Sequence, residues 1–471
     1  MQLLSTIAAI STPHGKGGVA LLRVSGSDAL AICSRVFRPK NGTPLTEHPA
    51  RQAVYGTILA PRGESWVAVD DGIATVFRAP ASFTGEDTVE ICCHGGILLT
   101  QTVLAALLAA GARAAQAGEF TRRAFLNGKM GLSAAEALGS LLEARNQGQL
   151  TLAYSGLGGR LEARTRGCYE QLRRVLTGAL ACIDFPDEDL SEISREEMIA
   201  SLEGTREELL SLAATYRTGH AVAEGIPTVI CGRTNVGKSS LYNALLGADT
   251  AIVTDTEGTT RDVLSETTSL GSVTLRLFDT AGLRDTQDAV ERIGIDRARQ
   301  TMEAAELILA VFDLTRPLTE DERTLIDSLA AREKKDGTPV IAIFNKADRA
   351  DGETAATVRQ EVAHLLPRSL TVSAQTGQGL DELERMVDGL FLDGSIDLRT
   401  DAVVANARQQ AALIQGGQAL ERALDALRGG LPMDLCCEDV SLAMSALSEL
   451  DGREISEDVV SEIFAHFCVG K

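Results

Sequence analysis

What the sequence has little of narrows its function first. Lys and Arg total 45 against 65 Asp and Glu, a net charge of −20. Affinity for nucleic-acid backbones comes largely from basic side chains that displace counterions, so any contact with RNA has to be local. No run reaches the roughly 18 apolar residues that a membrane span needs. The opening residues Met1-Gln2-Leu3-Leu4-Ser5-Thr6-Ile7 also lack a basic stretch ahead of an apolar one, and the expectation is a cytoplasmic protein. The nine cysteines contain no C-x-x-C, and the pairs Cys92-Cys93 and Cys436-Cys437 are adjacent, which argues for reduced thiols rather than disulfides or a zinc site. No G-x-G-x-x-G follows a strand-like run, so the dinucleotide-binding fingerprint is missing too. No low-complexity stretch interrupts a composition that is 44% hydrophobic and 23% charged, as expected of a globular protein.

With 471 residues the chain has material for about three domains. Over 1–125, short β-type runs such as 18–24 and 71–77 alternate with Gly, Pro and Asp, and one helical stretch, 98–110, interrupts them. This reads as a compact α+β domain. Over 126–223 the apolar spacing turns helical, first at Leu132, Ala135, Leu138, Leu141 and Leu142, then at Leu172, Val175, Leu176, Ala179 and Ile183. Asp184-Phe185-Pro186-Asp187 breaks that helix, because proline disfavours helical geometry in the residue before it. Helical spacing resumes near Glu196. Residues 224–392 alternate strands and helices as a parallel α/β sheet does, with strands at 228–231, 307–312 and 340–344. Over 393–471 helical spacing returns, with Ala412, Leu413, Leu420, Leu424 and Leu427 on one face. The fold expected is multidomain α/β: an N-terminal α+β domain, and a Ras-like nucleotide domain inserted into a helical domain whose halves flank it, with two separate helical domains as the alternative.

Chemistry concentrates after the first strand of that inserted domain. Gly232-Arg233-Thr234-Asn235-Val236-Gly237-Lys238-Ser239 matches a phosphate-binding loop and continues into a helix at Ser240. The glycines let backbone N–H groups approach phosphates, Lys238 neutralises β/γ oxygens, and the Ser239 hydroxyl ligates magnesium. In Gly258-Thr259-Thr260, a switch-type loop, Thr260 is the second hydroxyl for magnesium. Asp279-Thr280-Ala281-Gly282 closes the strand 273–278, with Asp279 holding the metal through water and the Gly282 N–H meeting the γ-phosphate. In Asn345-Lys346-Ala347-Asp348, a carboxylate at Asp348 accepts both the N1 and N2 protons of guanine, a pair adenine does not offer. Ser373-Ala374 completes the pocket, with the Ala374 N–H placed for guanine O6. Together the motifs specify guanine nucleotide.

Leu283 follows Gly282 where Ras-type GTPases carry the glutamine that orients the attacking water. Hydrolysis therefore needs another polar group and another source of positive charge. Arg284, Asp285, Asp288 and Glu291 are candidates, and each also reads as a solvated residue of a loop or helix start. Asn235 either braces its loop or offers its side-chain carbonyl to a monovalent cation, with groups from the loop Thr254, Asp255, Thr256, Glu257, Gly258 and Thr259 completing the shell.

Stretches outside the nucleotide motifs are more specific. Ser82-Phe83-Thr84-Gly85-Glu86-Asp87 with Val89-Glu90 and His94-Gly95-Gly96, Gly118-Glu119-Phe120-Thr121-Arg122-Arg123-Ala124-Phe125-Leu126-Asn127-Gly128-Lys129, Asp184-Phe185-Pro186-Asp187-Glu188 and the terminal Cys468-Val469-Gly470-Lys471 resemble the MnmE (TrmE) family of tRNA-modification GTPases over essentially the whole chain. The resemblance implies an N-terminal domain that dimerises and binds a formyl-tetrahydrofolate, a discontinuous helical domain and a potassium-stimulated GTPase domain. It further implies an FAD-containing partner with which the protein adds an aminomethyl-type group to carbon 5 of the wobble uridine in certain tRNAs. Arg23, Glu90, Lys129 and Lys471 then contact the folate. Asn235, Thr254, Thr256 and Thr259 hold potassium, Ser239 and Thr260 hold magnesium, and Glu291 orients the water. Thr256 replaces a commonly apolar residue, a change that a backbone carbonyl ligand survives, and Val469 stands where isoleucine or leucine is common.

Elementary chemistry agrees with parts of this mapping. Arg23, Lys129 and Lys471 complement the glutamate tail of a folate, and Glu90 can accept pterin N–H donors, although each base alone also reads as a surface charge. Cys468 lies four from the end, but Gly470 and Lys471 fit a prenylation box badly, which leaves a functional thiol or a packing residue. Gly15-Lys16-Gly17-Gly18 lacks the Lys-Ser/Thr pair of a second phosphate loop. Arg160, Arg164, Arg166, Arg173 and Arg174 form the most basic local cluster, diluted by Glu162 and Glu170, and read as a solvated helix face. The competing class is a regulatory or ribosome-assembly GTPase, which would show an RNA-binding appendage or a second phosphate loop; this chain displays neither clearly.

Overall fold

The computed structural model describes residues 5–184, 194–247, 265–278, 303–454, 456–465 and 467–470. Its N-terminal part alternates short strands and helices: β1 (Ile7–Ile10), β2 (Val19–Ser25), α1 (Ala29–Val36), β3 (Phe37–Pro39), β4 (Ala53–Arg62), β5 (Ser65–Phe77), β6 (Thr88–His94), α2 (Ile97–Ala109), β7 (Arg113–Ala114) and α3 (Glu119–Leu126). The seven strands form one sheet in the order β3-β4-β5-β6-β2-β1-β7. Strand alternation sends Ala20, Leu22 and Val24 into a core with α1 and α2, and Arg23 to the opposite face. In that register Ala9, Arg23, Glu90 and Thr75 stand in one row across β1, β2, β6 and β5. The single helix expected here is joined by α1 and α3. Ala29, Leu30, Ile32, Cys33 and Val36 bury one side of α1, and an apolar run of eight residues carries no period long enough to separate helix from strand.

Helices follow: α4 (Leu132–Glu143), α5 (Gln147–Leu157), α6 (Arg160–Asp184), α7 (Arg195–Ala214) and α8 (Tyr216–Ala223). α6 is described as far as Asp184, and Phe185, Pro186 and Asp187 of the expected break lie outside the described residues. The nucleotide domain comprises β8 (Ile226–Cys231), α9 (Lys238–Gly247), β9 (Ser265–Leu270), β10 (Val273–Phe278), β11 (Leu307–Asp313), α10 (Glu320–Asp336), β12 (Val340–Asn345), α11 (Gly352–Ala363), β13 (Ser369–Thr371) and α12 (Leu380–Phe391). Its sheet runs β13-β12-β11-β8-β10-β9. Every pairing is parallel except β9 with β10, an antiparallel edge that the sequence reading did not include. Apolar clusters cover both faces, which is why β11 and β12 are buried along their whole length and read as unbroken hydrophobic runs. The chain closes with α13 (Ala407–Arg428), α14 (Met433–Asp451) and α15 (Glu457–Ala465).

By packing, the chain divides into two compact units. One contains Met1–Glu143, Gly156–Arg195 and Asp425–Lys471, the other Ala144–Ser155 and Glu196–Leu424. In the first, Leu132 and Ala135 of α4 share a small core with Val460 and Phe464 of α15 and with Phe125 of α3. No helix among the described residues is long and apolar enough to cross a membrane, and the described cysteines are free thiols.

Candidate functional site

β8 ends at Cys231 in the middle of the parallel sheet, where open α/β sheets bind ligands beyond the carboxyl ends of their strands. The chain then turns through the phosphate loop into α9. Two glycines are obligatory there. Gly232 has φ 140° and Gly237 φ 101°, and a Cβ would collide with the Val311 carbonyl in the first case and with Asn345 Nδ2 in the second. Val236 is buried beneath the loop, whereas Asn235, Ser239 and Ser240 are exposed on it. Lys238 Nζ donates to the carbonyls of Gly232 at 3.0 Å and Arg233 at 2.8 Å, so the amine sits over the cradle that a phosphate would fill.

The base-recognition segments are tied to this loop. Asn345 is 3% exposed; its Nδ2 donates to Val236 O at 2.9 Å, and its Oδ1 accepts the Ala374 N–H at 3.1 Å. That N–H, expected to face guanine O6, is here bonded to Asn345. The Asp348 carboxylate accepts from Ser373 Oγ at 2.7 Å, which orients it. Lys346 Nζ donates to Asn235 O at 2.7 Å and pairs with Asp313 Oδ2 at 2.7 Å. Burial alone would lift the Asp313 carboxyl, but the bonds from Lys346 and Thr315 outweigh it and hold the group below the usual carboxylate range. Sequence reasoning missed Asp313. The signal was an acid ending an otherwise apolar strand, in register with Asn345 on the neighbouring strand.

Thr254, Asp255, Thr256, Glu257, Gly258, Thr259, Thr260, Asp279, Thr280, Ala281, Gly282, Glu291 and Lys471 lie outside the described residues, as do Leu283, Arg284, Asp285 and Asp288.

In the N-terminal sheet the expected ligand contacts Arg23 and Glu90 are cross-strand partners, with Arg23 Nη2 2.8 Å from Glu90 Oε1. The guanidinium stands 5.3 Å from the ring centre of Phe83 and 5.7 Å from that of Phe120, within cation–π range. A buried network fixes both rings. Arg123, 1% exposed, pairs with Glu86 at 3.1 Å and Glu119 at 3.0 Å and donates to Ser5 O at 2.8 Å. Glu86 in turn accepts from Ser25 Oγ at 2.7 Å. The loop carrying Phe83 is thereby held to α3, which carries Phe120. Sequence reasoning gave Glu86 and Arg123 no role, because a buried ion pair is written in no local pattern. Lys129 Nζ donates to Pro80 O at 2.9 Å, at the start of the same loop.

The C-terminal tail lies against this domain. Val469 bridges to Ala117, and Ser11 Oγ donates to Gly470 O at 3.1 Å. Gly470 has φ 101°, and a Cβ there would stand 2.5 Å from Ile10 O. Ile10 ends β1, whose Ala9 neighbours Arg23, so the tail runs one strand away from the Arg23–Glu90 pair. Cys468 is exposed and its carbonyl accepts the Gly118 N–H at 3.4 Å. A guanidinium that pairs with a carboxylate and stands near two rings offers donors, acceptors and apolar surface to a flat ligand. Arg160, Arg164, Arg166, Arg173 and Arg174 are all exposed, and Arg173 pairs with Glu170 at 2.7 Å.

Two family models match the chain: the GTP-binding protein TrmE N-terminus over residues 6–129 and the MnmE helical domain over residues 132–468. Proteins named tRNA modification GTPase MnmE are similar from end to end. That of Thermoanaerobacter pseudethanolicus is 37% identical over 472 residues, that of Geobacillus thermodenitrificans 40% over 472, and that of Moorella thermoacetica 42% over 478, each match covering 100% of both chains. On this full-length similarity, the chain belongs to the MnmE family of tRNA modification GTPases.

Proposed function

We propose that the protein is a GTP-hydrolysing tRNA-modification enzyme. With an FAD-containing partner it uses a formyl-tetrahydrofolate to add a carboxymethylaminomethyl-type group at C5 of the wobble uridine in certain tRNAs. The observation that carries this reading beyond a GTP switch is the second site, where Arg23 pairs with Glu90 and its guanidinium stands near the rings of Phe83 and Phe120, for which a ribosome-assembly GTPase has no use.

In this proposal GTP lies on the phosphate loop, with Lys238 against the β/γ oxygens and Asp348 on the base. Water attacks the γ-phosphorus and the bond to the β–γ bridging oxygen breaks. Glu291 orients that water. Ser239 and Thr260 hold magnesium, and Asn235, Thr254, Thr256 and Thr259 hold a potassium ion that supplies the charge an arginine finger gives elsewhere. A bound folate supplies the one-carbon unit. The chain's own residues orient it, Arg23, Lys129 and Lys471 by charge and Glu90 by accepting ring N–H groups, with Cys468 a functional thiol or packing residue near it. The domains proposed are 1–125, 126–223 with 393–471, and 224–392. The protein works in the cytoplasm as a homodimer through its N-terminal domain, a reading supported by the exposed cross-strand pair Tyr55 and Ile73.

The test of the GTPase half is turnover in potassium against sodium, with Glu291→Ala alongside. Faster turnover in potassium that is abolished in the variant is expected. Equal rates in both salts refute the cation site.

A further inference from the structure

Twelve residues, Ala144–Ser155, belong to the unit that holds the nucleotide sheet, although α4 before them belongs to the other. Within that unit a set of side-chain bonds ties them to the β9–β10 hairpin and to the end of α8. Asn146 Nδ2 donates to Thr274 Oγ1 at 2.9 Å and to Ser269 Oγ at 3.2 Å. Gln149 Nε2 donates to the same Thr274 hydroxyl at 3.2 Å and to Ala223 O at 3.1 Å. Arg145 Nη1 donates to Thr267 Oγ1 at 2.9 Å. The donors also fix each other, since Gln149 N donates to Asn146 Oδ1 at 2.9 Å and Arg145 N to Gln149 Oε1 at 2.8 Å. At Gly148 a Cβ would lie 2.6 Å from the Ser272 carbonyl, so the backbones meet with no room for a side chain. Thr274 is buried and directly opposite Ser269 in the hairpin. Its hydroxyl oxygen has two acceptor sites, and the two amides take both.

The position of this hairpin in the sequence gives the clasp its meaning. β9 follows the segment that carries Thr260, and β10 runs directly into Asp279 to Gly282, the two stretches assigned to magnesium and the γ-phosphate. On the other side the chain passes from Asn146 into α4. That helix is pinned at its far end by Ser133 Oγ, which donates to Leu450 O at 3.2 Å, and by Ala134 N, which donates to Glu162 Oε1 at 3.2 Å. Lys129 precedes it by one turn of chain.

We propose that Asn146, Gln149 and Thr274 are positioning residues that couple the nucleotide state to α4, and through α4 to the segment carrying Lys129. The proposal rests on the GTPase reading above. Coupling of this kind requires an element whose arrangement both sites bias, and the hairpin, bounded by both of those stretches and gripped by the clasp, is that element.

Hydrogen exchange read by mass spectrometry tests it on the full-length protein, with GDP and with GDP–aluminium fluoride in potassium. In the wild type, peptides over 265–278 and over 132–143 both change exchange rate between the two states, by about fivefold or more. Thr274→Val keeps the shape of the side chain and removes the shared acceptor. It is expected to abolish the response of 132–143 while that of 265–278 and basal GTP turnover remain, and Thr274→Ser is expected to restore it. An undiminished response of 132–143 in Thr274→Val, or a wild type in which only 265–278 responds, overturns the clasp. A wild type in which neither segment responds overturns the nucleotide reading, and the clasp with it.

Discussion

Lys346 donates to the backbone carbonyl of Asn235 at 2.7 Å, and both residues hold left-handed backbone, at φ 66° and 63°. Among the described residues only Arg51 joins them as a non-glycine in that region. Such conformations cost of the order of 1–3 kcal/mol each and persist where neighbours over-determine them. Here the neighbour is Asp313, which holds the other side of the Lys346 amine. One lysine therefore links the phosphate loop to the base-recognition loop.

Replacing Asp313 by Asn keeps an acceptor for Thr315 and removes the charge that holds Lys346. GTP affinity should fall about tenfold, equivalent to ~1.4 kcal/mol, in a titration with a fluorescent GTP analogue. An unchanged dissociation constant contradicts the linkage.

Gly237→Ala puts a Cβ against Asn345 Nδ2 at a φ that alanine avoids. Nucleotide binding should be lost while far-UV circular dichroism stays that of the wild type. A variant that still binds GTP normally would show that the loop relaxes at no cost.

His220 on α8 lies 3.3 Å from Glu224 and 3.4 Å from Glu306 and stacks on Tyr216. Its bonds to the two carboxylates raise the imidazole from its ordinary value of 6.5 to about 9, and Glu224 is correspondingly lowered. A raised pKa means that the folded protein holds the proton more tightly than the unfolded chain. The stabilisation is complete below about pH 6.5 and disappears as pH rises through about 9. The melting temperature of the wild type should fall across that window, and that of His220→Gln should fall less. Parallel pH profiles for the two proteins count against the ion pairs.

Gly470→Ala forces the tail away from Ile10 O. Calorimetry with 5-formyltetrahydrofolate should show binding weakened about tenfold or more, a loss of ~1.4 kcal/mol, with GTP turnover unchanged. Unaltered binding removes the tail from the folate site.

Much of this architecture is legible locally. β10 spans the strand expected at 273–278, because the period of a strand acts over a few residues. The phosphate loop is legible for the same reason: its glycines and lysine are neighbours in sequence. What the sequence conceals is long-range. Lys346 meets Asn235 across 111 residues and Asn146 meets Thr274 across 128, and no window contains both partners. The buried Arg123 has no local mark of its role, since its partner Glu86 lies 37 residues earlier. The antiparallel edge β9 carries Glu266 and Thr267 exposed and so lacks the apolar run that marks the interior strands.

The central claim, that GTP hydrolysis in this chain serves the modification of tRNA, is tested most directly by mass spectrometry of wobble nucleosides in tRNA from cells lacking the protein. Loss of the C5-aminomethyl-type uridines, restored by the wild-type gene and not by Glu291→Ala, is the predicted result. A nucleoside profile identical to that of unaltered cells would contradict it.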